Sequence, residues 1–143
     1  MFVFAARDRT PALDRAAFEK AAARWRERGT EDYDLEISIE GDRVDRSLCS
    51  LQVRGGKVVR YEKDGREDSG DPSGAYNTIP GLLEVIDREI LLATGPLVQG
   101  APRGAVLRAE FDPEWGYPVV FKRIASHGQS RFVRVEKFTP LSR

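Results

Sequence analysis

A chain of 143 residues, 41% hydrophobic and 32% charged, is sized for one domain that buries roughly two thirds of its unfolded surface without disulfides. Its 23 basic residues balance its 23 acidic ones, which argues against salt-driven binding to nucleic acid or an anionic membrane. The single cysteine excludes an internal disulfide and a cysteine-cluster metal site. No stretch approaches the ~20 apolar residues of a membrane span.

Met1 to Ala6 is apolar but too short for a signal-peptide core and has no basic leader. The chain as written is therefore expected in the cytoplasm, with residues 1–9 irregular. Thr10-Pro11 reads as an N-cap followed by proline in the first turn of a helix. Leu13 to Arg28 continues it in strong helix formers, with Phe18, Ala21, Ala22 and Trp25 on one stripe and Gly29 as the stop.

Tyr33 to Glu40 alternates strictly, placing Tyr33, Leu35, Ile37 and Ile39 on one face of a half-buried antiparallel strand. Ser47 to Arg54 predicts a second strand, Gly55-Gly56 a two-residue hairpin, and Lys57 to Lys63 a third strand. Cys49 lies in the second strand among Leu48, Leu51 and Val53, where an inert buried thiol is expected. Residues 64–77 read as a polar surface loop, since their acids miss calcium-loop spacing.

Thr78 caps a second helix, with Pro80 tolerated in its first turn. Leu82, Leu83, Ile86, Ile90 and Leu91 give it a wide apolar face, Gly95-Pro96 ends it, and 94–104 forms another loop. Ala105 to Asp112, Val119 to Ser126 and Ser130 to Phe138 are the last three strands. Their apolar residues straddle both faces, which predicts a bulge or a covered second face. The fold class is α+β: helix, three strands, helix, three strands, in a single domain whose antiparallel sheet carries both helices on one face.

Between the fourth and fifth strands lies Phe111-Asp112-Pro113-Glu114-Trp115-Gly116-Tyr117-Pro118. Asp112 can accept bonds from the following amides, Pro113 presets a type I turn, and Gly116 supplies a left-handed position. Trp115, Tyr117 and Asp112 are the candidate binding residues, because aromatics at a turn need packing or a partner.

Candidates for catalysis are few. His127, the only histidine, falls in a short predicted hairpin turn and has no second imidazole to complete a zinc site. Asp34, Glu36 and Glu40 can face Arg54, Arg60 and Lys63 in a solvated cross-strand ladder. Lys122, Arg123, Arg131, Arg134, Lys137 and Arg143 cluster in and after the last strands, as on a solvated sheet face. Gly55-Gly56 opens no helix, so it is not a phosphate loop. No catalytic residue, metal or cofactor is expected.

Trp25…Asp32-Tyr33, Val53-Arg54-Gly55-Gly56-Lys57-Val58, Thr78-Ile79 and Phe111 to Pro118 together resemble a family of uncharacterised bacterial domains. That family carries a W…dY strand entry, a v.dGkv hairpin, a "tid"-type helix start and a YDp.yGyP turn. Phe111, Trp115 and Gly55 stand where it has Tyr, Tyr and Asp. The resemblance implies the same fold, no assigned activity, and an extracytoplasmic setting for many members. The leading functional expectation is a non-enzymatic module that binds a protein partner or a second copy through the sheet face and the 112–118 turn. One alternative is a small-ligand or hydrolytic pocket between helices and sheet, with Asp112, Tyr117 or Tyr61 converging on it. The other is a structural accessory domain.

Overall fold

The computed structural model describes residues 9–42, 44–71, 73–94, 105–125 and 129–141. In chain order the elements are α1 (Arg15–Arg28), β1 (Tyr33–Gly41), β2 (Val44–Arg54), β3 (Lys57–Lys63), β4 (Arg66–Glu67), α2 (Ser73–Tyr76), α3 (Ile79–Thr94), β5 (Val106–Phe111), β6 (Pro118–Ile124) and β7 (Arg131–Pro140). The strands form one antiparallel sheet in the order β4-β3-β2-β1-β7-β6-β5. The α+β expectation holds. What no local pattern announces is that the last strand returns to the middle, where β7 pairs with β1 from Tyr33↔Pro140 to Gly41↔Arg131.

Tyr33, Leu35 and Ile37 of β1 and Cys49, Leu51 and Val53 of β2 turn to one face and are buried there. Helices α1 and α3 cover that face with Phe18, Ala22, Trp25, Leu82, Leu83, Ile86 and Ile90 in the same core. The mixed strand faces are resolved as bulges, which shift side-chain parity by one. Ile37↔Val135 and Glu36↔Lys137 leave Glu136 unpaired, so Val133, Val135 and Phe138 all reach the core side. Phe111↔Pro118 and Glu110↔Val120 skip Val119, and Gln52↔Arg60 with Val53↔Val58 skip Val59. Gly55 and Gly56, at φ 60° and 77°, close the β2–β3 hairpin as expected.

Helix α1 starts later than Thr10-Pro11 suggests. The N-cap is Asp14, whose carboxylate accepts the Ala17 amide at 2.7 Å. Residues before it are drawn onto the edge of β5: the Leu13 amide donates to Leu107 O and the Ala109 amide to Pro11 O. A segment paired as a strand cannot also begin a helix, and the contact covers an otherwise open sheet edge.

The 64–77 stretch is not a plain loop, because it holds β4 and the one-turn α2. Both elements are too short to show a period, and tertiary contact holds them. A Cβ on Gly74 of α2 would lie 3.3 Å from the Tyr61 ring, so the helix rests on that ring. Helix α3 starts as expected, with the Gly81 amide donating to Thr78 Oγ1 at 3.1 Å. Residues 1–8, the 95–104 part of the second loop, and the Ser126–Gly128 turn with His127 lie outside the described residues.

Candidate functional site

The 112–118 turn forms as its residues dictate. Asp112 Oδ2 accepts the Glu114 and Trp115 amides at 3.0 and 2.7 Å, and the Gly116 amide closes onto Asp112 O at 2.9 Å. Gly116 has φ 84°, and a Cβ there would sit 2.2 Å from Ala21 O and 2.9 Å from the Trp25 amide nitrogen. The turn is therefore seated directly on the backbone of α1. Trp115 and Tyr117 both lean on Phe138, with ring centroids 5.3 and 4.7 Å away, and Phe138 in turn meets Trp25 and Tyr33. Burial first, then the nearby Asp112 carboxylate, holds the Tyr117 phenol above its ordinary range. Asp112, Trp115 and Tyr117 are thus brought together, half-buried, in one aromatic cluster at the foot of α1.

Tyr33 links this cluster to the second helix. Its hydroxyl accepts the Ile79 amide at 3.0 Å, one of the N-terminal donors that α3 cannot satisfy internally. Desolvation pushes the phenol up to about 12 from an ordinary value of 10, with the Ile79 bond opposing that rise.

Beyond Tyr33, the sheet and α3 diverge and leave a cavity of about 430 Å³. Its floor is the core face of the sheet at Ile39, Ser47, Cys49, Tyr61, Phe121 and Val133, and its roof is Leu82, Val85 and Ile86 of α3. Tyr76 and Asn77 close one end, where α2 leads into α3. The Tyr61 hydroxyl lies 3.4 Å from Cys49 Sγ, so the thiol is buried as expected and has a partner.

Two polar side chains in this lining differ from the rest of the interior. Ser47 and Asn77 are only 8% and 6% exposed as whole residues, and among the described residues neither side chain makes a hydrogen bond; their polar atoms are not sealed in the core but open onto the cavity. Buried polar groups in a folded protein nearly always find a partner. By contrast Thr78, beside Asn77, donates to Ala75 O at 3.0 Å and accepts from Gly81.

Among the described residues the cavity lining contains no carboxylate and no imidazole, but it does contain Lys63 and Arg131. A shallower groove of about 310 Å³ adjoins it through Ile39, Val85, Phe121 and Arg131, and there Arg123 is paired with Glu89 at 3.0 Å. Among the described residues no group of His, Cys, Asp and Glu is arranged to hold a metal.

The opposite sheet face is polar, and several of its charges are matched. Arg54 meets Asp34 at 2.9 Å, Arg60 meets Glu62 at 2.6 Å, and Glu136 receives both Ser38 Oγ and Arg46. Of the expected ladder only Asp34–Arg54 forms among the described residues: Arg60 turns to Glu62 and Glu67, and Lys63 lies on the core face in the cavity lining. Sequence reading missed Ser47, Asn77 and Arg131 as cavity residues. Their only signal was a polar residue at a position whose strand or helix neighbours are core. Among the described residues, no helix is long and apolar enough to cross a membrane. No family model matches the chain, and no curated protein does.

Proposed function

We propose that this protein binds a small molecule in the cavity between α3 and the core face of the sheet. The observation that carries the proposal is the pair Ser47 and Asn77, whose side chains make no hydrogen bond among the described residues and open onto an apolar-walled space of about 430 Å³. A pocket of that size with an apolar wall and a few convergent polar groups is the usual form of a ligand site. Polar groups that face a cavity without a protein partner can be completed there by a ligand or an ordered water.

Binding rather than hydrolysis is proposed because, among the described residues, the lining offers no carboxylate or imidazole as a general base for Ser47 or Cys49. The sheet face and the 112–118 turn give weaker support for a binding surface. Their prominent polar groups already meet protein partners, and their aromatics pack on Phe138.

The test is titration with the neutral fluorescent probe N-phenyl-1-naphthylamine, for wild type and for Val85→Trp. Val85 is half-buried in the cavity roof, so an indole there fills the space without unpacking the core. Saturable one-to-one enhancement in wild type, lost in a Val85→Trp protein with unchanged circular dichroism, supports the proposal. Absence of saturable enhancement, or equal binding by both proteins, overturns it.

A further inference from the structure

The charged residues of the cavity lining, Lys63 and Arg131, are both cationic, and that narrows the ligand. Lys63, at the end of β3, lines the cavity and pairs across the strands with Arg66 of β4. Directly opposed residues in an antiparallel pair share a face, and like charges in that position are destabilising. Asp64 Oδ1, the adjacent carboxylate, is committed to the Leu48 amide at 2.8 Å. Glu67 is directed to Arg60 and the Ser69 hydroxyl. Among the described residues neither Lys63 nor Arg66 has an acidic partner.

Elsewhere on the surface Arg15, Arg46, Arg54, Arg60 and Arg123 each meet a carboxylate. Arg131, the other cation of the lining, borders the adjoining groove that also contains Glu40 and Glu89. Two cations without an acidic partner among the described residues therefore meet at the Lys63 end of the cleft. That end also lies on the strand that contributes Tyr61, and on the side where Tyr76 and Asn77 close the space.

Resting on the binding reading above, we infer that the ligand is an organic anion with an apolar body. Its carboxylate sits at Lys63 and Arg66, and its hydrocarbon runs inward between Ile86 and Phe121. Two adjacent cations beside a low-dielectric wall focus a positive potential on the entrance and attract an anion more strongly than a neutral molecule of the same shape. The apolar floor and roof exclude a small hydrophilic anion, because nothing along them would replace its water.

The experiment is displacement of N-phenyl-1-naphthylamine by sodium decanoate and by decan-1-ol near neutral pH. It uses wild type, the exposed-site double variant Lys63→Gln/Arg66→Gln, and Arg131→Gln. Decanoate is expected to displace the probe at roughly tenfold lower concentration than decan-1-ol from wild type, the effect of one charge-assisted contact. The double variant is expected to abolish that preference while leaving decan-1-ol unchanged, and Arg131→Gln to preserve it. Equal displacement by the two molecules overturns the anion assignment while leaving the cavity as a binding site. A preference that survives the double variant, or that follows Arg131→Gln instead, overturns its placement at Lys63 and Arg66. Failure of the probe itself to bind is the separate outcome that removes the underlying reading.

Discussion

The 112–118 turn and the cavity beneath α3 are built from similar materials and finished in opposite ways. Both combine aromatic rings, polar side chains and a short glycine-bearing connection packed near a helix. In the turn, Asp112 is used by two amides, Gly116 leaves no room for a methyl group, and Trp115 and Tyr117 end on Phe138. In the cavity, the side chains of Ser47 and Asn77 make no hydrogen bond among the described residues, and a space of about 430 Å³ lies between helix and sheet. A conspicuous motif can thus be entirely architectural, because close packing and full hydrogen bonding leave nothing for a ligand to complete. Sites are recognised by what the fold leaves unfinished.

The largest test of this contrast is Gly116→Ala. A Cβ there would meet Ala21 O at 2.2 Å, and that oxygen belongs to a helix backbone anchored by Phe18 and Trp25 in the core. The left-handed φ of 84° adds its own strain. The expected loss is about 3 kcal/mol or more in urea unfolding, from backbone strain plus overpacking. A loss below about 1 kcal/mol would show that the turn lifts off α1 easily, and the contrast with the cavity would collapse.

Next in size is Tyr33→Phe, which touches both regions. The ring stays among Trp25 and Phe138, but the Ile79 amide loses its acceptor at the root of the cavity roof. An orphaned buried donor costs about 1–3 kcal/mol at neutral pH. The variant also carries a pH signature. The folded phenol is raised to about 12 from 10, so between those values the folded state holds a proton that the unfolded state has released. Its stabilising effect is complete below pH 10 and lost as pH rises through 12, a fall of about 2 to 3 kcal/mol at 1.36 kcal/mol per unit. Chemical denaturation from pH 9 to 12 measures it. Much of this alkaline decline should vanish in Tyr33→Phe, and an identical decline in both proteins would assign it elsewhere, Tyr117 being the other raised phenol.

How much of this was legible beforehand follows from the range of each interaction. Tyr33, Leu35, Ile37 and Ile39 declare β1 by alternation, and Gly55-Gly56 and Asp112 to Pro118 declare their turns, because a period or a turn is a property of neighbours. The start of α1 was misplaced because Pro11 and Leu13 answer to β5, nearly a hundred residues away. Helix α2 was invisible because Gly74 is held by the Tyr61 ring rather than by helical propensity. The cavity was the least legible feature. Ser47, Asn77 and Lys63 come from three elements, and each alone reads as an ordinary strand or cap residue. Only β1 pairing with β7, which places Phe121 and Val133 on the same floor, makes them one site.

The smallest effect is the sharpest test, a matched pair of variants. Asp112→Ala removes an acceptor used by two turn amides and should cost about 1 kcal/mol, as loss of a side-chain cap does. Asn77→Leu removes a side-chain amide that makes no hydrogen bond among the described residues, and it places an apolar residue just before the Thr78 cap. From there it can pack toward Leu82, four residues into the helix count, as a hydrophobic staple. Its stability change should therefore lie within about 0.5 kcal/mol of zero or be stabilising, which is the sign expected where a residue is kept for binding at the expense of the fold. Affinity for N-phenyl-1-naphthylamine and for decanoate should move the other way between the two: unchanged in Asp112→Ala and altered in Asn77→Leu. If Asn77→Leu instead destabilises as much as Asp112→Ala and leaves both affinities intact, Asn77 is a structural residue like those of the turn. The cavity would then be a packing defect rather than a site.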